Sequence, residues 1–393
     1  MSYEPGASVE GTIPLCVPEI RGNEWQYVKE CLDTNWVSSA GSFVSRFEQA
    51  LNHYTGTTHA IATSSGTAAL HIALLAAGVK PDDEVLVSNL SFIAPANAIR
   101  YVGAFPVFID AEPAYWQMDP NLVVEFLDKE CTWTNRQLIN RKSGRPVTAL
   151  LPVHILGHPV DIDPLLEMAK KYELAVIEDA TESLGARYKG QSVGHLGNIA
   201  CFSFNGNKVI TTGGGGMVVT DNDDWAAKAR YLSTQAKDDA VEYVHKAIGY
   251  NYRLTNIQAA LGCAQMEQLP SYVEKKRSIA ARYREGLPAV PGITVMPEAP
   301  FAHAVYWLST ILVDESGYGE DSRALLRRLA AAHIQSRPLW QPLHRSPAYP
   351  DTQFYGGSVS DKLNKTALSL PSSVGLNNNE LELIINTISE RHG

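Results

Sequence analysis

The sequence contains no uninterrupted apolar run of membrane-spanning length, so no segment reads as a transmembrane helix. Its start, MSYEPGASVEGTIPL, has neither a basic stretch nor an apolar one and does not read as a secretory signal. Positive charge is in deficit. With 33 Lys and Arg against 42 Asp and Glu, the formal net charge is −9, which offers no global attraction to nucleic acid or an anionic membrane. Cysteine is scarce. Cys16, Cys31, Cys131, Cys201 and Cys263 are scattered and form no C-x-x-C pair, so no metal site is expected and a reducing, cytoplasmic setting fits best. Two glycine fingerprints are also missing: no G-x-x-x-x-G-K-[ST] loop occurs, and no G-x-G-x-x-G opens a helix.

What is present is enough apolar material for a large core, at 45% hydrophobic over 393 residues, and more chain than one typical domain uses. Up to about residue 265, short apolar runs alternate with helical patterns. Val85-Ser88, Pro106-Ile109, Ala149-His154, Ala175-Ile177, Ala200-Phe204 and Met217-Thr220 read as buried strands, and Asp163-Tyr172 as a helix between two of them. The class is α/β, a mostly parallel sheet with helices on both faces, which binds ligands at the carboxyl ends of its strands. Residues 1–24 read as an N-terminal arm, 25–265 as the large domain and 266–393 as a smaller α+β domain, joined by a linking helix over 271–286. In the smaller domain the pattern gives a strand at Tyr306-Val313, a helix at Ser322-His333 and a closing helix from Asn378. The polar stretch 131–146 reads as an exposed insertion or hairpin.

Three segments carry chemistry. In SSGTAALHIALLAAG (64–78) a small, flexible start precedes helical spacing of Leu70, Ala73, Leu74 and Ala77, and such a start offers unpaired N–H groups to a phosphate. Read alone it is more readily a capped core helix, because caps outnumber anion sites. In LAVIEDATESLG a strand ends in Glu178-Asp179, where a carboxylate can pair with a protonated ring nitrogen or simply cap a turn. In FSFNGNKVITTGGGGMVVT a strand breaks, presents Lys208 and resumes after four glycines. A lone loop lysine is ordinarily solvated, but this one shares a sheet edge with Asp179, and a desolvated lysine amine is the nucleophile for an imine.

These residues, with GYNYRLTN and IQSRPLW, resemble fold-type-I enzymes that use pyridoxal 5′-phosphate (PLP), specifically the DegT-type nucleotide-sugar aminotransferases. The resemblance spans nearly the whole chain. It implies that Lys208 binds PLP as a Schiff base, that Asp179 pairs with the pyridine nitrogen, and that Gly66, Thr67 and Ser203 hold the phosphate. Phe92 falls where an aromatic ring stacks on the cofactor, and Glu182 where some relatives place Gln or His beside the ring. It further implies a homodimer with a shared active site, in which Asn251 reaches the partner subunit's cofactor phosphate. Arg253, Arg337, Trp340 and His344 are the candidate contacts for substrate. His154 and His71 read as core histidines, and His158 has no assigned role.

The implied reaction is transfer of an amino group from L-glutamate to a nucleotide-linked keto sugar, with pyridoxamine 5′-phosphate between the two halves. Lys208 shuttles the proton in each. The wording NGNKVITTGGGGM, RYLSTQAKDD, YWLSTILVD and SRPLWQPLH resembles enzymes acting on UDP-linked 4-keto-6-deoxy-N-acetylhexosamine in the bacillosamine and legionaminic-acid pathways. GDP-perosamine synthases are the alternative subgroup. A sugar dehydratase, in which histidine replaces the lysine, and a regulatory protein that kept only the fold are disfavoured by Lys208 and Asp179.

Overall fold

The computed structural model describes residues 11–239 and 241–390, so residues 1–10 of the expected arm lie outside the described residues. The chain alternates strands and helices. Strands β1 (His59–Thr63), β2 (Glu84–Ser88) and β3 (Phe105–Ile109) come first, then the hairpin β4 (Cys131–Thr134) and β5 (Gln137–Asn140), then β6 (Pro146–Leu151) and β7 (Ala175–Asp179). A small hairpin of β8 (Arg187–Tyr188) and β9 (Gln191–Ser192) precedes β10 (Ile199–Ser203) and β11 (Gly216–Thr220). In space the main path runs β1-β11-β10-β7-β6-β2-β3 and ends on Phe354–Tyr355, which arrives from far down the chain. Strands β10, β7, β6, β2 and β3 are parallel, and β11 is antiparallel to both its neighbours.

The apolar runs become strands because this sheet is covered on both faces, which suits continuous Val, Ile and Leu rather than alternation. Leu70, Ile72 and Leu74 of the helix Gly66–Ala76 pack on one face with Val85, Val87 and Phe202, whereas Leu86, Val107, Leu150 and Val176 meet Phe126, Leu127 and Leu165 on the other. Asp179 pairs with Cys201 in register, and Thr63 and Ser203 both lie opposite Gly216. The carboxyl ends of β1, β10 and β7 therefore share one edge.

Three expectations need adjustment. The helix read over 271–286 is the second half of one helix, Asn256–Gly286, which passes through residue 266 and through Pro270. Pro270 has no N–H to donate, yet buried Leu269, Tyr272 and Val273 around it fix the helix by packing. The strand expected from Tyr306 begins at Ser309, because Tyr306 has φ of 50°, outside the extended region. The strand expected to reach His154 stops at Leu151, where Pro152 breaks the ladder and a 3-10 turn follows at Ile155–Gly157. Stretch 131–146 does hold a hairpin, β4 and β5, pairing onto β6.

Beyond the long helix, a second antiparallel sheet has the order Ile293–Val295, Ser309–Val313, Ala367–Leu370, Arg337–Pro338. Ile311 and Leu368 of that sheet pack with Leu325, Leu329, Leu381 and Ile384 from helices Ser322–Ala331 and Asn378–Ser389. No helix among the described residues is long and apolar enough to cross a membrane. Nor do the described residues contain a group of three side chains suited to a metal ion.

Candidate active site

The shared strand edge opens into a cavity of about 440 Å³. At one end lies the start of the helix Gly66–Ala76. Ser65 caps it, its hydroxyl accepting from Ala68 N–H at 3.0 Å, which leaves the N–H groups of Gly66 and Thr67 without a hydrogen bond among the described residues. A Cβ on Gly66 would stand 2.7 Å from Ser203 Cβ, so only glycine lets the helix start lie against the end of β10. The result is a cradle of two free N–H groups beside a hydroxyl, at the positive end of a helix dipole. A phosphate fits it.

Asp179, 2% exposed, also lines the cavity. Its Oδ1 accepts from Thr181 N–H at 3.1 Å. Burial pushes its carboxyl upward, while the bonds from Thr181 and the charge of Lys208 oppose this, so a cationic partner inside the cavity would stabilise the carboxylate. Next to it, Glu178 belongs to the core. Burial would raise it, but His154 and the N–H groups of Gly197 and Gly194 prevail and hold it below the ordinary carboxylate range. His154 is fully buried. Its Nδ1 accepts from Val160 N–H at 3.0 Å and its Nε2 lies 3.1 Å from Glu178 Oε2, which makes it a satisfied core residue as expected.

Lys208 lies in the connection between β10 and β11, with its Nζ 3.5 Å from Glu182 Oε1 and 4.1 Å from the centre of the Trp307 ring. Glu182 is held from behind: Leu156 N–H donates to its Oε2 at 2.8 Å. Burial and the nearby Asp179 push Glu182 upward, and Lys208 with the Leu156 bond pulls the other way. Phe92, 58% exposed, comes from the loop after β2 and forms a wall of the cavity with Ser91 and Pro95.

Gly66, Thr67, Phe92, Asp179, Glu182, Ser203, Lys208 and Trp340 all line this one cavity. Asn251, Arg253, Arg337 and His344 do not. Asn251 is exposed and bridges to Thr234, and Arg253 bridges to Thr63, which puts their segment behind the helix start. Arg337 donates to its neighbour's carbonyl on the small sheet. His344 stacks on Phe354 at 4.2 Å, lies 3.1 Å from Asn89 Oδ1 and pairs with Asp361, so it anchors the loop that carries Phe92. His71 is buried, with Nε2 lacking a partner among the described residues and Nδ1 3.4 Å from Tyr252 Oη. His158 has Nε2 accepting from Ala299 N–H and a ring stacked on Tyr115, and burial pushes it down to about 4.

Asn205, Asn207, Thr181 and Trp307 also line the cavity, and none was singled out from sequence. The asparagines flank Lys208 and could have been read from the turn itself. Trp307 could not, because it comes from a loop one hundred residues away.

A family model described as the DegT/DnrJ/EryC1/StrS aminotransferase family matches residues 18–389. GDP-perosamine synthase of Caulobacter vibrioides is 38% identical over 379 residues, covering 96% of this chain and 98% of its own. GDP-perosamine synthase of Escherichia coli O157:H7 is 38% identical over 378 residues, with coverage of 96% and 98%. Among solved structures, DesV of S. venezuelae superposes with a TM-score of 0.84 at 30% identity, covering 94% of this chain and 95% of that one.

Proposed function

Because the chain belongs to the DegT/DnrJ/EryC1/StrS aminotransferase family, we propose that this sugar aminotransferase moves an amino group from L-glutamate to C4 of GDP-linked 4-keto-6-deoxymannose. Its cofactor is PLP, as in that family. The GDP-linked sugar is preferred over the UDP-linked one suggested by sequence wording because two relatives matched end to end at 38% identity are GDP-perosamine synthases, whereas a UDP-linked amino-sugar aminotransferase matched over a similar span is 29% identical. The observation that carries the enzyme reading is the convergence of Lys208, Asp179 and the Gly66–Thr67 cradle on one cavity.

The residues fit the cofactor. Lys208 would bind its aldehyde, Asp179 would hold a positive charge on its ring nitrogen, and Gly66, Thr67 and Ser203 would hold its phosphate. Phe92 would cover a face of the ring. When bound, PLP supplies a carrier for the amino group and an electron-withdrawing ring. The protein supplies the rest. Lys208 Nζ takes the proton from the α-carbon of glutamate and gives a proton to the sugar carbon that receives nitrogen. Glu182 Oε1, beside that amine, holds its charge in place between transfers. Trp340 and Trp307 line the side of the cavity on which the sugar is placed in this reading.

We further propose a homodimer, in which Asn251 serves the partner subunit's phosphate site. The segment that precedes Asn251, a small hairpin of Lys237–Asp239 with Val244–His245 and the residues after it, supports this, since Val241, Tyr243 and Ile248 expose 82%, 68% and 85% of their surfaces, an apolar load that suits an interface.

Incubating the enzyme with glutamate and a panel of GDP- and UDP-linked 4-keto-6-deoxy sugars tests the reading, with 2-oxoglutarate as the signal. The GDP-linked sugar should give the highest kcat/KM. Turnover of UDP-linked sugars alone would reverse the nucleotide assignment, and no turnover with any 4-keto sugar would refute the substrate class.

A further inference from the structure

After Lys208 the chain turns through Thr211, Thr212 and the glycine run into β11, and two glutamines of the long helix hold that turn. Thr211 N–H donates to Gln265 Oε1 at 3.2 Å, and Gly214 O accepts from Gln258 Nε2 at 2.9 Å. The two glutamines stand about two turns apart, so they share one face of the helix Asn256–Gly286. Thr212 Oγ1 also donates to Gly214 O, but it belongs to the turn itself and anchors it to nothing outside. A run of glycines has the backbone freedom to take many positions. Its place is set by what grips it.

The turn lies between the lysine and the phosphate cradle. Gly214 and Gly215 line the cavity together with Lys208. A Cβ on Gly216 would stand 2.7 Å from Gly66 N and closer still to Ser65 O, so backbone rests directly on backbone where the helix Gly66–Ala76 begins. Gln258 ties this strip to the long helix, and its amide is used twice. Its Oε1 accepts from Thr255 N–H at 3.3 Å and from Thr255 Oγ1 at 2.9 Å, which caps the helix, and its Nε2 is left for Gly214. Turned over, the amide would set NH2 against N–H and oxygen against a carbonyl, so one orientation satisfies both ends. The cap needs only the oxygen, and glutamate serves such a cap as well as glutamine. The clamp on Gly214 needs the nitrogen.

We propose that Gln258 is a positioning residue for the cofactor: by pinning Gly214 O it fixes the spacing between the Gly66–Thr67 cradle and the turn that carries Lys208. This rests on the reading of both as PLP contacts. A group held by its aldehyde at the lysine and by its phosphate at the cradle needs the two at one separation. With Gly214 released, the turn drifts from Ser65 and Gly66, and one contact is made at the expense of the other.

Two substitutions separate clamp from cap. Gln258→Glu keeps an oxygen for Thr255 and sets a carboxylate oxygen against the Gly214 carbonyl, whereas Gln258→Met loses cap and clamp together. Two quantities are read: PLP release from the holoenzyme after rapid dilution, and the urea midpoint of the cofactor-free full chain, to which PLP binding contributes nothing. In Q258E release should be at least about fivefold faster while the midpoint stays at the wild-type value. In Q258M release should rise and the midpoint should fall. A smaller change of release in Q258E overturns the proposal. So does a Q258E midpoint nearer to that of Q258M than to wild type, because the residue would then be structural alone. If Q258E does not fold, release in Q258M decides: faster release supports the clamp and wild-type release overturns it, and failure of both variants to fold overturns it as well. Borohydride reduction of the wild-type holoenzyme separates this role from the reading beneath it. PLP fixed to a lysine other than Lys208 overturns both, whereas PLP fixed to Lys208 with unaltered release in Q258E overturns only the role of Gln258.

Discussion

A methyl group on Gly66 would meet Ser203 Cβ at 2.7 Å and its hydroxyl at 3.0 Å, so the helix start would have to withdraw from the end of β10. Gly66→Ala is therefore expected to weaken PLP binding by at least about tenfold. Fluorescence titration of the cofactor-free protein measures this, and wild-type affinity would remove the cradle from the phosphate. In the same cavity, Asp179→Asn keeps the shape and removes the charge. Its kcat should fall by roughly a hundredfold or more while the fold persists, so near-wild-type turnover would contradict the pairing with the ring nitrogen. His158 gives a pH prediction of definite sign. Its folded state disfavours the proton down to about 4, whereas the unfolded chain binds it near its ordinary value, so between these limits the unfolded state holds more protons. Stability is then complete above about pH 6.5 and falls by roughly 3 kcal/mol as pH drops to about 4. Denaturation of wild type and His158→Gln across that range should converge toward acid; parallel curves would refute it. The places of Asp179 and Lys208 on the cavity were legible in sequence because Asp179 ends an apolar run and Lys208 sits between the break after β10 and the glycine run before β11. Glu182 was legible only by resemblance. Trp307 was hidden because nothing local distinguishes a tryptophan that faces a lysine from one that fills the core.

Among the elements, the long helix Asn256–Gly286 differs most from its reading. Its start was foreseeable: Thr255 and Gln258 form a reciprocal capping box. Its continuity was not, because Pro270 reads locally as a stop and only tertiary burial on both sides of it decides otherwise. At Gly262 the helix lies against Phe47, and a Cβ there would come within 2.8 Å of a ring that is fully buried. Alanine gains about 1 kcal/mol in helix propensity, but forcing that ring aside costs roughly 1–3 kcal/mol. Gly262→Ala should be destabilising in denaturant unfolding, and the loss should shrink when Phe47 is replaced by Leu. A loss of equal size in both backgrounds would show that Phe47 is not the obstacle. Apart from β6, read three residues too far along the chain, the parallel strands were readable to within two residues, since full burial on two faces writes itself as continuous apolar runs. The edge pieces were not: Phe354–Tyr355 is two residues long, and His59–Thr63 carries only Ala60, Ile61 and Ala62 as an apolar run.

Taken whole, the molecule joins two sheets through one helix, and its site draws on both: Lys208 and Asp179 from the large sheet, Trp307 and Trp340 from the segments around the small one. The proposed dimer adds a checkable expectation. Sedimentation should report twice the 42.9 kDa chain mass, and Ile248→Asp should shift the balance toward monomer; an unaltered dimer in that variant would place the interface elsewhere. The class, and the strand edge on which the cavity opens, could be read from the sequence because they follow from periodicity and strand ends. The nucleotide could not, because it depends on side chains that converge only after folding.

The amino-terminal segment has a further consequence for how the protein is made. Ile13 pairs with His333 and Gln335 through the backbone, Leu15 and Val17 reach Gln335 and Ser373, and Cys16 grips the carbonyl before Lys208. Leu15 and Val17 precede Gln335 and Ser373 by 320 and 356 positions, so the segment docks only after the strands and helices between them have been translated. A chain interrupted before Trp307 lacks the indole N–H that also donates to the Asn207 carbonyl, at 2.6 Å, and leaves Cys16 undocked with the rest of its segment. The turn that carries Lys208 is thereby secured only once the smaller sheet has formed.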